Sequence, residues 1–157
     1  MTLKQCHQER FEGFARDILQ GHHYAMTNVP TIVSANDMWS GQNITGRRIK
    51  TPRYKDWLDE ASALLAIGLR RYARSALSPM AVWVIAPFPP KYFSEATKIK
   101  RDCDNLIKPV CDALKTAGVI ADDDLRHVTA IHVVPVCSSQ DIRPIIAIEP
   151  HPFLIFP

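Results

Sequence analysis

Apolar positions along the chain recur in two periods, and the changes between them lay out the elements. Phe11, Phe14, Ala15, Ile18 and Leu19 stand at i, i+3, i+4, i+7 and i+8, the single stripe of an amphipathic helix over 8–20 that Gly21 would stop. NVPTIVSAN (28–36) has the β-branched content of a short strand. After a basic, glycine-containing loop, Thr51-Pro52 opens a second helix, with threonine as N-cap and proline at the first helical position. Trp57, Ala61, Leu64, Leu65, Gly68, Leu69 and Tyr72 carry its stripe, which assigns the Trp and Tyr to the core rather than to base stacking. MAVWVIA (80–86), entered through Ser78-Pro79, reads as a buried strand.

Further on, Leu106, Val110, Ala113, Leu114 and Ala117 form the apolar face of a third helix, closed by Gly118 at the C′ position. Pro109 sits near its start, where a missing N–H does least harm, so only the first turn is left open. HVTAIHVVPV (127–136) and RPIIAIE (143–149) read as two strands, joined as a hairpin around CSSQD. The order α-β-α-β-α-β-β predicts an α+β protein, a single domain with a mixed β-sheet packed by helices. At 157 residues the chain can bury a core without disulfides or structural metal.

Composition narrows the setting. The 46% hydrophobic and 22% charged content is that of an ordinary globular protein. No apolar run approaches the ~20 residues that span a bilayer, and MTLKQCHQERFEG lacks the apolar stretch of a secretory signal. Cys6, Cys103, Cys111 and Cys137 form neither a C-x-x-C pair nor a disulfide framework, which suits free thiols in a reducing compartment. The expectation is a cytoplasmic protein without a membrane partner. His22-His23 and His127 have no partner readable from spacing, and a surface or core role is the plain reading for each.

Net charge is only +3, but it is unevenly placed. GRRIKTPRYK (46–55) holds Arg47, Arg48, Lys50, Arg53 and Lys55 with no acid, and Lys98, Lys100 and Arg101 form a second basic patch. Directly after it comes RDCDNLIKPVCDALKTAGVIADDD (101–124), with Asp102 and Asp104 before the third helix and Asp122, Asp123 and Asp124 after it. Carboxylates gathered in one volume repel unless a cation neutralises them. If 101–104 is extended, Asp102 and Asp104 point to the same side and Cys103 points away, toward the core. Lys108 follows Asp104 by four residues, and Lys108, Asp112 and Lys115 make the polar face of the helix.

Two arrangements satisfy this spacing. In one, Asp102, Asp104 and one of the second triplet close around a cation; hard carboxylate oxygens suit Mg²⁺, with Mn²⁺ able to substitute, rather than zinc. Such a cation activates water toward a phosphodiester, and a nearby lysine neutralises the developing charge. In the other, Asp104 N-caps the helix, the three later aspartates form a solvated turn, and Lys108 pairs with Asp112 on the surface. A zinc site from Cys103, Cys111 and His127 fits no usual spacing.

The run Arg101-Asp102-Cys103-Asp104-Asn105-Leu106-Ile107-Lys108, then Asp112-Ala113-Leu114, then Asp122-Asp123, resembles the signature of the RusA family of Holliday junction resolvases, often encoded by prophages. Ser34-Ala35-Asn36-Asp37-Met38-Trp39 resembles, more weakly, the family's S-x-N-x-x-aromatic segment. The resemblance covers about 29–149, making 28–157 the nuclease domain and 1–27 an added N-terminal helix. It implies a Mg²⁺-dependent endodeoxyribonuclease, a homodimer whose two sites resolve a four-way DNA junction by paired symmetric nicks in recombination and repair. It implies Asp102, Asp104 and Asp123 as catalytic, metal-binding carboxylates, with Asp122 as the second or alternative member of the pair. Lys108 would be the catalytic lysine and Arg101 a DNA contact at the active site. Asp124 stands where the family often has a small or polar residue, which leaves open which aspartate of the triplet is the ligand, and the 87–100 connection is longer than usual. Asn36, Arg47, Arg48, Lys50 and Lys100 complete the expected DNA contacts. A metal-dependent nuclease without junction selectivity, and a non-catalytic DNA-binding protein of the same fold, are the alternatives; no P-loop or dinucleotide-binding glycine motif points to nucleotide chemistry.

Overall fold

The computed structural model describes residues 2–20, 24–42, 45–70, 79–94, 102–124 and 126–150. Its elements in chain order are α1 (Leu3–Ile18), β1 (Ala25–Asn28), β2 (Trp39–Gln42), β3 (Arg48–Lys50), α2 (Pro52–Gly68), β4 (Met80–Phe88), α3 (Ile107–Thr116), β5 (Val128–Cys137) and β6 (Ile145–Pro150). The α+β, mixed-sheet expectation holds, and the element order matches once the small β2–β3 hairpin is set aside. That hairpin replaces the expected basic loop. Gly41 and Gly46 lie at φ 101° and 76°, the left-handed region where glycine is the residue that fits without strain.

Four strands form the main sheet in the order β1-β6-β4-β5; β4 runs parallel to β5 and antiparallel to β6, and β1 is antiparallel to β6. The expected β5–β6 hairpin is therefore absent, because β4 lies between the two strands. The reason is burial. Six of the first seven residues of β4 and Ile145–Glu149 of β6 are buried, whereas β5 is half exposed along its length. A strand apolar on both faces belongs in the middle of a sheet, and a half-polar one belongs at its edge.

The strand expected over 28–36 lies earlier, at Ala25–Asn28. Its pairing with β6 ends at Asn28↔Ile145, Val29 N donates to Pro144 O at 2.9 Å, and Pro30 then has no N–H to offer. Val29, Ile32 and Val33 are buried all the same, so their β-branched side chains serve the core without a ladder.

Helices cover both faces of the sheet. On one, Phe11, Ala15 and Leu19 of the α1 segment pack on Ile85, Ile145 and Ala147. On the other, Trp57, Ala61 and Leu65 of α2 and Val110, Ala113 and Leu114 of α3 pack on Val82, Val84, Ile146 and Ile148. The alternation of β4 residues between these two cores is the period-two signature of a strand. Of the expected α1 stripe, Phe14 is instead 45% exposed. Tyr72 and Gly21 lie outside the described residues. Gly68 is a close-approach position, since a Cβ there would stand 2.5 Å from Thr27 Cβ on β1.

The starts of α2 and α3 behave as local chemistry dictates. Thr51 Oγ1 accepts from Tyr54 N at 3.2 Å, with Pro52 in the first turn. The same hydroxyl donates to Asp37 O at 2.9 Å, tying the helix start to the 3₁₀ turn Ala35–Asp37. In α3, Pro109 falls in the first turn, where its N–H would be unpaired in any case. Replacing Thr51 by Ala should cost about 1 kcal/mol in urea unfolding and Thr51→Ser only a fraction of that; equal losses would mean the threonine methyl, not its hydroxyl, matters.

Candidate active site

The approach to α3 is not extended. Asp102 has strand-like angles (φ −84°, ψ 133°), but Cys103–Leu106 forms a 3₁₀ turn, with Asn105 N donating to Asp102 O at 3.2 Å. Asp104 thus lies inside a turn of about three residues per cycle, and two-residue alternation does not set its direction. Cys103 is exposed rather than buried, which corrects the expectation that it enters the core; the buried thiol is Cys111. Nor does Asp104 cap α3, whose N-cap position is Leu106 and carries no side-chain cap. Asp102 and Asp104 are both exposed, and their carboxylates make no hydrogen bond or ion pair among the described residues.

At its other end α3 closes with Gly118 at φ 68°. Gly118 N donates to Lys115 O at 3.0 Å and Val119 N to Leu114 O at 2.9 Å, the paired bonds of a Schellman turn. The turn reverses the chain, buries Val119 and Ile120, and lays the acidic loop along the polar face of α3. There Lys108 Nζ donates to Asp112 Oδ1 at 2.7 Å and to Asp123 Oδ2 at 3.2 Å. About two helical turns further on, Lys115 Nζ reaches Asp122 Oδ1 at 2.9 Å and Asp123 Oδ1 at 3.3 Å. Asp123 is thus gripped by two lysines, one on each oxygen. The surface pairing of Lys108 with Asp112 is present, and the same lysine also joins the helix to the acidic loop.

A partner not anticipated from the sequence completes the network. Tyr54, fully buried in the first turn of α2, donates its hydroxyl to Asp112 Oδ2 at 2.7 Å. Its one sequence signal is its place three residues before Trp57 on the apolar stripe. Lys50 Nζ stands 5.1 Å from the Tyr54 ring centroid, which connects the β3 strand to the same group.

Asp124 turns elsewhere. Its Oδ1 accepts from Arg126 N and lies 2.9 Å from His127 Nδ1, while its Oδ2 pairs with the Arg126 guanidinium. Of the three consecutive aspartates, Asp122 and Asp123 face the lysines and Asp124 holds the loop to the start of β5. The 3₁₀ turn carrying Asn36 packs against the Asp104 turn and α3. Asn36, Arg47 and Arg48 are exposed and Lys50 is half-buried. Arg101 and Lys100 lie outside the described residues, as do Lys98 and His22-His23.

Electrostatics follow from these contacts. The hydrogen bond from Lys115, with the Asp123 backbone N–H, holds Asp122 down to about 2. Lys108 is raised, chiefly by its hydrogen bond to Asp112. Burial, reinforced by the Asp112 carboxylate, pushes the Tyr54 phenol far above its ordinary range, so it remains a donor at any physiological pH. Asp124 is held well below the carboxylate range by Arg126 and, against the opposing effect of burial, by His127. Burial raises the Cys111 thiol to about 11, which keeps it protonated and inert.

Asp102 and Asp104 offer exposed carboxylate oxygens with no competing partner among the described residues. That chemistry fits a hard divalent cation. The described residues do not, however, gather three or more His, Cys, Asp or Glu side chains into one metal cage.

The class to which this fold and site belong is that of the endodeoxyribonucleases: the family model of the endodeoxyribonuclease RusA matches residues 28–149. The chain belongs to the RusA family. The match begins on the last residue of β1 and ends inside β6, so it takes in the main sheet together with α2, α3 and both acidic segments. No curated protein sequence matches the chain. Among the described residues no helix is long and apolar enough to cross a membrane.

The Lys115–Asp122 contact makes a pH prediction. Asp122 titrates near 2 in the folded chain against 3.8 ordinarily, so the contact stabilises fully above about 4 and is lost as pH falls through 2. Lys115→Gln should therefore lower the urea midpoint at pH 6 and flatten the loss of stability between about pH 4 and pH 2. A mutant curve running parallel to the wild type through that window would show that the pair is not formed in solution.

Proposed function

We propose that the protein is a Mg²⁺-dependent, structure-selective endodeoxyribonuclease that resolves four-way DNA junctions by paired symmetric nicks, acting as a homodimer in the cytoplasm. The observation that carries this reading is the double grip of Lys108 on Asp112 and Asp123, which ties the D-x-D-N-L-x-K segment to the D-D loop within the matched family region. On this reading 28–157 is the nuclease domain and α1 an addition to it.

Asp102, Asp104 and Asp123, with Asp122 beside them, would hold the metal, which Mn²⁺ could replace. A bound Mg²⁺ supplies positive charge to the scissile phosphate and a water acidic enough to lose its proton near neutral pH. Lys108 faces the carboxylate face with an ammonium kept protonated by its partners, ready to neutralise charge on a phosphate oxygen. Lys115 pairs with both Asp122 and Asp123, and its hydrogen bond keeps Asp122 ionised. Arg101 would contact DNA at the site. Phosphate contacts from Arg47, Arg48, Lys50 and Lys100, with Asn36 beside the Asp104 turn, would supply sequence-independent affinity that weakens with salt. A junction with two-fold symmetry is served by a two-fold dimer, one site for each strand.

The test is cleavage of a synthetic four-way junction and its matching linear duplex, with Mg²⁺, with EDTA, and by Asp104→Asn protein. Paired nicks in the junction alone, absent in EDTA and in the variant while junction binding persists, are the expected result. Equal cutting of the duplex would make it a nuclease without junction selectivity. Tight binding with no cutting under Mg²⁺ or Mn²⁺ would make it a DNA-binding protein that has lost catalysis.

A further inference from the structure

We infer that Tyr54 is a positioning residue for Lys108, acting through Asp112; the inference rests on the role proposed above for that lysine. The Tyr54 hydroxyl donates to Asp112 Oδ2 and Lys108 Nζ donates to Asp112 Oδ1, each at 2.7 Å. Both oxygens of one carboxylate are thus engaged, one by a side chain of α2 and one by a side chain of α3. The carboxylate cannot turn without breaking a bond at each end.

The need for such an anchor follows from the lysine itself. Its side chain is 51% exposed, and a four-carbon stem in water samples many rotamers at an entropic cost to any single one. An i,i+4 ion pair between two solvated side chains is weak and would hold the ammonium loosely. Asp112 is different because its side chain is only 15% exposed and its partner is a phenol that water does not reach. Burial also removes the alternatives for the tyrosine, whose hydroxyl must find an acceptor inside the protein. The acceptor it meets is the carboxylate that sets the lysine, and the ring itself is braced by Trp57 at 6.0 Å between centroids.

Tyr54→Phe removes one hydroxyl and keeps the ring, so single-turnover cleavage of a four-way junction by the full chain is the direct test. The rate constant should fall on the order of ten-fold, the scale of one hydrogen bond to a charged group. The amplitude of the reaction and the junction Kd should be unchanged, because the fraction of folded, DNA-competent protein is the same. Asp112→Asn should be slower still, and adding Tyr54→Phe to it should change nothing more, since the two residues form one chain of contact. A wild-type rate constant for Tyr54→Phe, a loss confined to amplitude, or effects that multiply in the double variant would each overturn the inference. Lys108→Ala distinguishes the two levels of the argument. Wild-type cleavage by that variant would remove the role of the lysine, and the inference with it; loss of cleavage by Lys108→Ala beside an unaffected Tyr54→Phe would remove Tyr54 alone.

Discussion

The structure around the site depends on one constraint: carboxylates brought together must have cations between them. Asp112, Asp122 and Asp123 converge on the polar face of α3, and Lys108 and Lys115 are interleaved among them, each shared by two acids. Sharing fixes the geometry on both sides. The lysines must lie on one face of the helix, which leaves Val110, Ala113 and Leu114 to the core, and the loop after Gly118 must return close enough to bring Asp122 and Asp123 into reach. Had the chain continued straight past Ala117, Asp122 and Asp123 would be solvated, Lys115 would lose both its partners and Lys108 would keep Asp112 alone.

The sheet supplies the rigidity this arrangement requires. β4, buried along most of its length between α1 and the α2–α3 pair, is the element from which the other parts are measured. α2 and α3 pack side by side on it, so a residue of α2 can reach the polar face of α3, as Tyr54 does with Asp112. The start of α2 is in turn tied to Asp37 through the Thr51 hydroxyl. The turn carrying Asn36 and the turn carrying Asp104 are therefore braced against one another by segments more than sixty residues apart in sequence.

What the sequence disclosed, and what it hid, divides along physical lines. The start of α2 and the end of α3 were legible because their signals are local: a Thr-Pro start in one, and an i, i+3, i+4 stripe closed by a glycine at C′ in the other. Strand partnership was not, because CSSQD is as good a hairpin turn as any, and only the stronger demand of β4 for burial on both faces separates β5 from β6. The 103–106 stretch misled by alternation: a run of polar residues before a helix carries no periodicity, and the chain took a 3₁₀ turn that exposes Cys103. Within the candidate site, the spacing of Lys108, Asp112 and Lys115 was readable, since helical geometry alone places them together. The reach of Tyr54 into that cluster was not, because an apolar stripe conceals where its one hydroxyl points.

The charge of the site also separates two tasks that a nuclease must perform. Residues 102–123 hold Asp102, Asp104, Asp112, Asp122 and Asp123 against Lys108 and Lys115, a formal charge of −3 before any phosphate arrives. A phosphodiester is repelled by such a surface at short range, and at physiological salt the repulsion is screened only beyond about 8 Å. Affinity for DNA must then come from elsewhere on the molecule, and the Arg47–Lys55 stretch, with five cations and one intervening tyrosine, is where the sequence concentrates positive charge. The ammonium groups of the two lysines are divided among the other three acids, and neither is paired with Asp102 or Asp104. Asp102 and Asp104 are thus the acids left without a partner among the described residues, and the paired acids are the frame that holds Lys108 in place.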